Sequence, residues 1–532
     1  MAAIVYQTDK RSGITYAYES VSYWDKEKKQ SRAKRTLVGR LDPVTGNIVP
    51  TDQRRKKALE RGAAVPGSAR HFCGAVRLLD GIGEITGITG DLKRCFPDRY
   101  EKILSVAYYL ILEDANPLTR FAKWAAIHEH PYGRDISSQR SSELFASITE
   151  EERTRFFALQ GKRRAENEYW AYDITAISSY SECLRQIRYG VNKDHDPLPQ
   201  LNLALVFGEE SGLPFYYRKL PGNISDVKTV RNLLADLDSY GLSKVKLVMD
   251  RGFYSEENIN RLYREHLKFL IGAKLSLKFV RAALDEEREK LRSWERYDRQ
   301  YDLYACTRPV EWDYAQTRPY KGDTLKEKRR MYLHLYYNST KGAEDERRSN
   351  LLLAGLQEEL MHNKRVPEHE NLYAKYFELK ETPVRGTQVT AKQEAIDAAR
   401  KNFGYFALIS NESMDAIKAL ELYRNKDLCE KAFGNLKERL NMRRMLVSSE
   451  QSLDGKLFVE FVSLIFLSYI KKQMQEHELF KDYTIQGLLD ELDIIECYKE
   501  PGKKTRLSEI TKRQAALYQF MDVSVHDTTS LC

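Results

Sequence analysis

Cysteine is scarce: the 532-residue chain has 7, an odd number, with no C-x-x-C pair. That argues against a disulfide framework and against a structural zinc site, and it points to a reducing, cytoplasmic compartment. Long hydrophobic runs are missing too. The most apolar stretch, Leu457 to Ile470 (LFVEFVSLIFLSYI), is short for a membrane span and carries Glu460, so a buried helix is expected. Met1 to Gly13 lacks the apolar core of a signal peptide. Gly81 to Gly90 (GIGEITGITG) misses the G-x-G-x-x-G order by one residue, which leaves a dinucleotide-binding turn unsupported. His128 and His130 have no third metal ligand nearby and read as loop histidines. No internal repeat or low-complexity tract occurs.

What is present fits a soluble chain of several domains. Hydrophobic residues make up 42% and charged residues 31%, enough to bury large cores, and the unusual count is 33 Tyr. The formal charge of +9 is unevenly placed: Met1 to Gly62 holds 14 Lys and Arg against 7 Asp and Glu. Lys26 to Arg35 (KEKKQSRAKR) and the run Arg54, Arg55, Lys56, Lys57 suit a polyanion, nucleic acid above all, although a solvated surface gives the same pattern.

Read in order, residues 1–65 form a basic β-rich arm. It has strand-like runs at Ile14 to Trp24 and Arg35 to Val49, the latter broken by the turn signal DPVTGN. Residues 66–165 turn helical from His71, with helices expected over Arg99 to Leu112, Asn116 to Glu129 and Ser137 to Ala158. Short helices and tight turns ahead of ISSQRSSELF suggest a helix-turn-helix-like module with Ser138, Gln139 and Arg140 opening a reading helix; helical hairpins without a DNA role look the same.

At Glu168 the pattern changes to β-β-β-α-β-α-β over residues 166–274. The strands are Tyr169 to Ile177, Leu201 to Phe207, Leu213 to Leu220, Lys244 to Met249 and Lys268 to Ala273; helices at Ser225 to Leu237 and Ser255 to His266 connect the last three. Three antiparallel strands followed by parallel crossovers are the order of a ribonuclease H-like core in a multidomain α/β chain. Residues 275–403 break into charged helices and separate strands and read as an inserted domain. The core resumes over 404–475, with a strand at Gly404 to Ile409 and a last long helix at Ser452 to Gln475. Residues 476–532 read as a polar helical tail.

Two carboxylates sit where strands disfavour them: Asp173 inside YWAYDITAI and Asp250 at the end of KVKLVM. A third, Glu430, lies on a helix-like stretch, Leu422 to Leu440 (LYRNKDLCEKAFGNLKERL). On a uniform α-helix Tyr423, Lys426, Glu430 and Lys437 fall within roughly 60° of one another, beside an apolar stripe of Leu422, Cys429, Phe433, Leu436 and Leu440. Caps or surface placement explain each acid alone. Together the three make an all-oxygen set suited to Mg²⁺ or Mn²⁺, two of which can serve in-line phosphoryl displacement.

These residues carry a resemblance. The helix is similar to Y-x-x-R-x-x-x-E-x-x-x-x-x-x-K, the signature of bacterial insertion-sequence transposases of the insertion-sequence-four type, with Lys426 in the place of Arg. MDRGFYSEENI and YDITAISSYS resemble the family's two other acidic motifs, and PGNISD its segment after the third strand. The resemblance implies a DDE recombinase with Asp173, Asp250 and Glu430 holding two Mg²⁺ or Mn²⁺ ions. It implies cleavage at inverted-repeat ends by water, then attack of the freed 3′-hydroxyl on target DNA by a homodimer in a synaptic complex, in a bacterial, nucleoid-associated protein. Tyr423, Lys426 and Lys437 would contact DNA phosphates, with Arg251, Arg140 and the Arg54 to Lys57 run as further DNA contacts. In some relatives an insertion-domain Trp stacks on a flipped base; Trp294 and Trp312 are the candidates here, and core packing is the commoner expectation for each. A ribonuclease H-like nuclease without strand transfer, or an inactive DNA-binding remnant, are the competing readings.

Overall fold

Runs of Val, Ile, Leu and aromatic residues bounded by turn formers build the sheets of this chain, seen in a computed structural model. The structure describes residues 2–10, 13–25, 30–43, 46–49, 69–114, 116–164, 168–180, 184–190, 196–242, 245–318, 322–382, 386–440, 444–445, 449–500 and 505–524. Two units result, one of residues 1–72 with 495–510 and one of residues 73–494 with 511–532.

The smaller unit holds an antiparallel sheet of Ala2–Thr8, Thr15–Asp25, Gln30–Leu41 and Ile48–Val49. Ala17 is buried there while Tyr6, Tyr23 and Trp24 are exposed, so the arm is an open sheet bearing exposed Arg32, Lys34 and Arg35. Its second sheet pairs Ala69–Phe72 with Glu496–Lys499, which pairs with Arg506–Leu507. Two expectations change here. The helical region starts after a strand and not at His71, and the tail carries two strands. Pairing of segments more than 400 residues apart, clamped by an ion pair between Arg70 and Glu496, is a tertiary effect that local propensity does not signal.

In the larger unit the helices α1 (Gly74–Ile85), α2 (Ile88–Cys95), α3 (Tyr100–Leu112), α4 (Phe121–Ala125), α5 (Ser138–Ser147) and α6 (Glu150–Arg164) come first. The single helix expected over Ser137 to Ala158 is two, and Asn116 to Glu129 yields only a 3₁₀ turn and α4. Thr149 explains the first break: its Oγ1 accepts from Glu152 N–H while Glu152 Oε2 accepts from Thr149 N–H, a capping box that restarts the helix. His128 and His130 lie, as expected, on the segment between α4 and α5, and both are buried there. His128 Nε2 meets Asp493 Oδ2 at 2.9 Å and the ring stacks on Trp124; His130 Nδ1 meets Ser105 Oγ at 3.0 Å.

A ten-stranded mixed sheet follows. Its strands are β1 (Tyr169–Ser179), β2 (Gln200–Gly208), β3 (Pro214–Pro221), β4 (Lys246–Met249), β5 (Lys268–Ala273), β6 (Tyr297–Asp298), β7 (Leu303–Arg318), β8 (Asp323–Tyr337), β9 (Tyr405–Ser410) and β10 (Arg444–Met445). The spatial order is β6-β7-β8-β9-β5-β4-β1-β2-β3, with β10 beside β1. β1, β4 and β5 run parallel, with α7 (Asp226–Ser239) leading from β3 into β4 and α8 (Glu256–Arg264) joining β4 to β5; the other main-path neighbours are antiparallel. The separate strands expected within residues 275–403 are not all separate. The long hairpin β7–β8 pairs with β9 and so extends this same sheet, whereas Phe377–Thr382 and Gly386–Ala391 form a two-stranded sheet of their own. That segment also supplies α9 (Lys278–Leu291), α10 (Ser339–Met361), α11 (Glu370–Tyr376) and α12 (Gln393–Arg400).

After β9 come α13 (Ala416–Arg424), α14 (Asp427–Gly434), a π-wound turn at Asn435–Arg439, and α15 (Glu450–Glu476), which is buried along most of its length against α3, α5 and β3. Among the described residues no helix is long and apolar enough to cross a membrane. α16 (Ile485–Asp493) and α17 (Lys512–Phe520) complete the unit.

Candidate active site

Register brings the first two carboxylates together. Tyr172 on β1 is the partner of Met249, the last residue of the parallel strand β4. The next residues are Asp173 and Asp250, so the two acids stand side by side on strands that lie ~4.8 Å apart. β4 ends there, and β10 takes up the same edge of β1 only at Ser178. The acids therefore sit where the sheet opens.

Each acid is held by its own backbone. Asp173 is buried, and its Oδ1 accepts from Ile174 N–H at 2.8 Å. Asp250 Oδ1 accepts from Arg251 N–H at 2.7 Å, capping the 3₁₀ turn Arg251–Phe253. Two groups of the helical stretch reach the same carboxylate: Tyr423 Oη donates to Oδ1 at 2.7 Å, and the buried Lys426 Nζ lies 3.7 Å from Oδ2. Burial pushes the Asp250 carboxyl up, but Tyr423, Lys426 and Arg251 outweigh it and hold the group below its ordinary value. Burial and then the neighbouring Asp250 charge push the Tyr423 hydroxyl well up, with Asp173 adding to the effect, so Tyr423 stays a donor facing both acids.

A glycine makes this approach possible. A Cβ on Gly272 of β5 would lie 2.8 Å from Tyr423 Oη and 3.0 Å from Arg251 N. Sequence reading passed over Gly272; its one signal was a glycine inside the strand run KFLIGA.

The stretch from Leu422 to Leu440 is not one uniform helix, which corrects the single polar stripe. Lys426 N–H bonds back to Tyr423 O, a tight i to i+3 turn between α13 and α14, and Leu440 N–H bonds to Asn435 O across five residues. Asn425 Nδ2 donates to Glu209 Oε1 at the tight turn. Uniform spacing of 100° per residue fails at both places. The apolar stripe survives: Leu422, Phe433, Leu436 and Leu440 are buried. α13 packs on β4, β5, β7 and β8, while α14 packs on β1 and β2. Glu430 belongs to α14, and its side chain, like that of Cys429, lies outside the described residues. Lys437 sits half-buried on the π-wound turn.

The remaining residues lie elsewhere. Arg251 is exposed beside Asp250, and Arg140 is exposed on α5. Arg54, Arg55, Lys56 and Lys57 fall outside the described residues. Trp312 is buried with Nε1 donating to Asn260 Oδ1, as core packing predicts, but Trp294 is 80% exposed and stacked on Tyr297.

Chemically, two adjoining carboxylates with no sulfur or imidazole among the residues described around them form a hard, all-oxygen donor set. Such a set fits Mg²⁺ or Mn²⁺ better than zinc. Lys426 already places one cation against Asp250, the kind of charge this pair needs to stay ionised.

A family model described as "Transposase DDE domain" matches residues 185–466, more than half of the chain. That span contains Asp250, Tyr423, Lys426, Glu430 and Lys437, and it begins after Asp173. Among solved structures the chain is similar to one titled "Cryo-EM structure of piggyBac transposase synaptic complex with hairpin DNA", at 9% identity and a TM-score of 0.35, covering 74% of this chain and 70% of that one. No curated protein matches the sequence.

Proposed function

The chain belongs to the family of transposases with a DDE domain, and from that premise we propose that it cuts DNA at the inverted-repeat ends of its own element and joins the freed 3′-hydroxyls to target DNA. The observation that carries the reading is the register step putting Asp173 beside Asp250, under a helical stretch that delivers Tyr423 and Lys426 and bears Glu430. The strand order β3-β2-β1-β4-β5 supports a ribonuclease H-like core, with residues 275–403 as an insertion into it. The Y-x-x-K-x-x-x-E-x-x-x-x-x-x-K spacing supports membership of the insertion-sequence-four type.

In this reading Asp173, Asp250 and Glu430 hold Mg²⁺ or Mn²⁺. A divalent cation bound there supplies Lewis-acid stabilisation of charge on the attacking and leaving oxygens. The chain's own groups do the rest. Tyr423 fixes the Asp250 carboxylate, Lys426 keeps it ionised, and Lys437 and Arg251 meet the DNA backbone as point charge and fork. A homodimer would hold both element ends at once.

The test is incubation with DNA carrying the element's ends and Mg²⁺, comparing the natural chain with Glu430→Ala. End cleavage and joined product that vanish in the variant are expected. Cleavage without joining would favour a nuclease, and binding without cleavage a disused core.

A further inference from the structure

Away from the carboxylates, the helical region holds a cavity of about 400 Å³ between α3, α5 and the segment that joins α4 to α5. Four cations line it, Arg99, Lys102, Arg134 and Arg140, against a single carboxylate, Glu143, which is engaged by Gln139 Nε2 at 3.0 Å. The cations divide into two kinds. Arg99 is fixed in the wall, donating to Ser147 O and to Glu152, and Lys102 Nζ rests 5.1 Å from the centre of the Tyr132 ring. Arg134 and Arg140 are exposed, and among the described residues neither makes an ion pair. Ile136 and Leu144 give the cavity an apolar floor.

Arg134 and Arg140, without a carboxylate partner among the described residues and beside two further cations, favour an anion between them. A forked guanidinium matches the oxygens of a phosphodiester, and an apolar floor beside it suits the adjoining sugar. We propose that this cavity clamps the sugar-phosphate backbone of duplex DNA, with Arg134 and Arg140 closing on adjacent phosphates over Lys102 and Arg99. The proposal rests on the transposase reading in taking DNA as the polyanion. It assigns Arg140 to backbone positioning and not to base reading.

The test uses the full chain and a random-sequence DNA duplex, with affinity measured by fluorescence anisotropy over a range of salt. Arg134→Ala combined with Arg140→Ala should weaken binding about tenfold or more at low salt. It should also make the slope of log affinity against log salt shallower by about 1 to 2, the signature of lost phosphate contacts. Lys123→Ala combined with Lys162→Ala removes two exposed charges elsewhere and should change the slope less. Arg134→Lys combined with Arg140→Lys keeps the charge and should retain most of the slope. An alanine pair that binds with the natural slope overturns the proposal, as does a loss confined to one DNA sequence. A natural chain that binds no DNA overturns the transposase reading beneath it. Should the alanine pair melt at a lower temperature, the lysine pair against Arg140→Glu alone gives the same contrast, the charge reversal losing slope and the lysine pair keeping it.

Discussion

Tyr423 Oη reaches Asp250 Oδ1 at 2.7 Å through a space that exists because residue 272 has no side chain. The hydrogen bond is charge-assisted and half-buried, the kind worth about 1.5–3 kcal/mol. Tyr423→Phe should slow single-turnover end cleavage by about 10- to 100-fold while leaving DNA affinity within about threefold, since the lost contact orients a carboxylate and carries no net charge. Parallel rate and anisotropy measurements separate the two; an equal loss in both would make Tyr423 a DNA contact first.

Gly272→Ala attacks the same contact from the other side. The new Cβ meets backbone at Arg251 as well as the Tyr423 hydroxyl, so relief by a side-chain swing alone is blocked. Activity should fall at least as far as in Tyr423→Phe, with a stability cost of about 1–3 kcal/mol. In the double variant the activity losses should be strongly non-additive, which a double-mutant cycle reads directly.

Glu460 makes stability depend on pH. It is fully buried on α15, neither oxygen has a hydrogen-bond partner among the described residues, and Lys456 Nζ stands 3.6 Å away. Burial pushes its carboxyl up to about 7, against ~4.3 in an unfolded chain. The folded state therefore holds the extra proton, and this contribution is full below ~4.3 and lost as pH rises through about 7. Glu460→Gln should match the natural chain near pH 4 and exceed it at pH 8 by up to about 3 kcal/mol, read from denaturant midpoints. A variant that is less stable at both pH values would mean that Lys456 compensates the charge.

Gly455 sets how closely α15 and α5 pack. A Cβ there would lie 2.0 Å from the Phe145 carbonyl oxygen, a backbone atom with nowhere to go. Gly455→Ala should cost about 3 kcal/mol and lower the melting temperature despite the better helix propensity of alanine. An unchanged melting temperature would show that the two helices can part at no cost.

The juxtaposition of the two aspartates was legible in the sequence. Apolar runs that end on an aspartate, YWAYD and KLVMD, marked β1 and β4, and parallel register then placed the two acids level. The break between α5 and α6 was missed, although Thr149 and Glu152 spell a capping box. Other features were hidden for physical reasons. The hairpin β7–β8 carries many charged residues, since much of it is exposed, and so lacks the apolar signal of a core strand. The tight turn at Lys426 and the π-wound turn at Asn435–Arg439 depend on what the helical stretch packs against, including Glu209 on another segment. His128 and His130 are loop residues, as read, but their burial was hidden because their partners, Asp493 and Ser105, come from helices distant in sequence.

The tight turn between α13 and α14 has a mechanical consequence. α13 is fastened to β4 and its neighbours on the Asp250 side, and α14 to β1 and β2 on the Asp173 side. The helical stretch thus forms a staple across the seam between β4 and β1, a seam that four residue pairs hold together. In the proposed reading, an ion held by Asp173, Asp250 and Glu430 would also tie the two halves of the sheet. Loading the site and strengthening the fold would then be one event, and the unfolding temperature should climb with magnesium concentration until the ligands are filled.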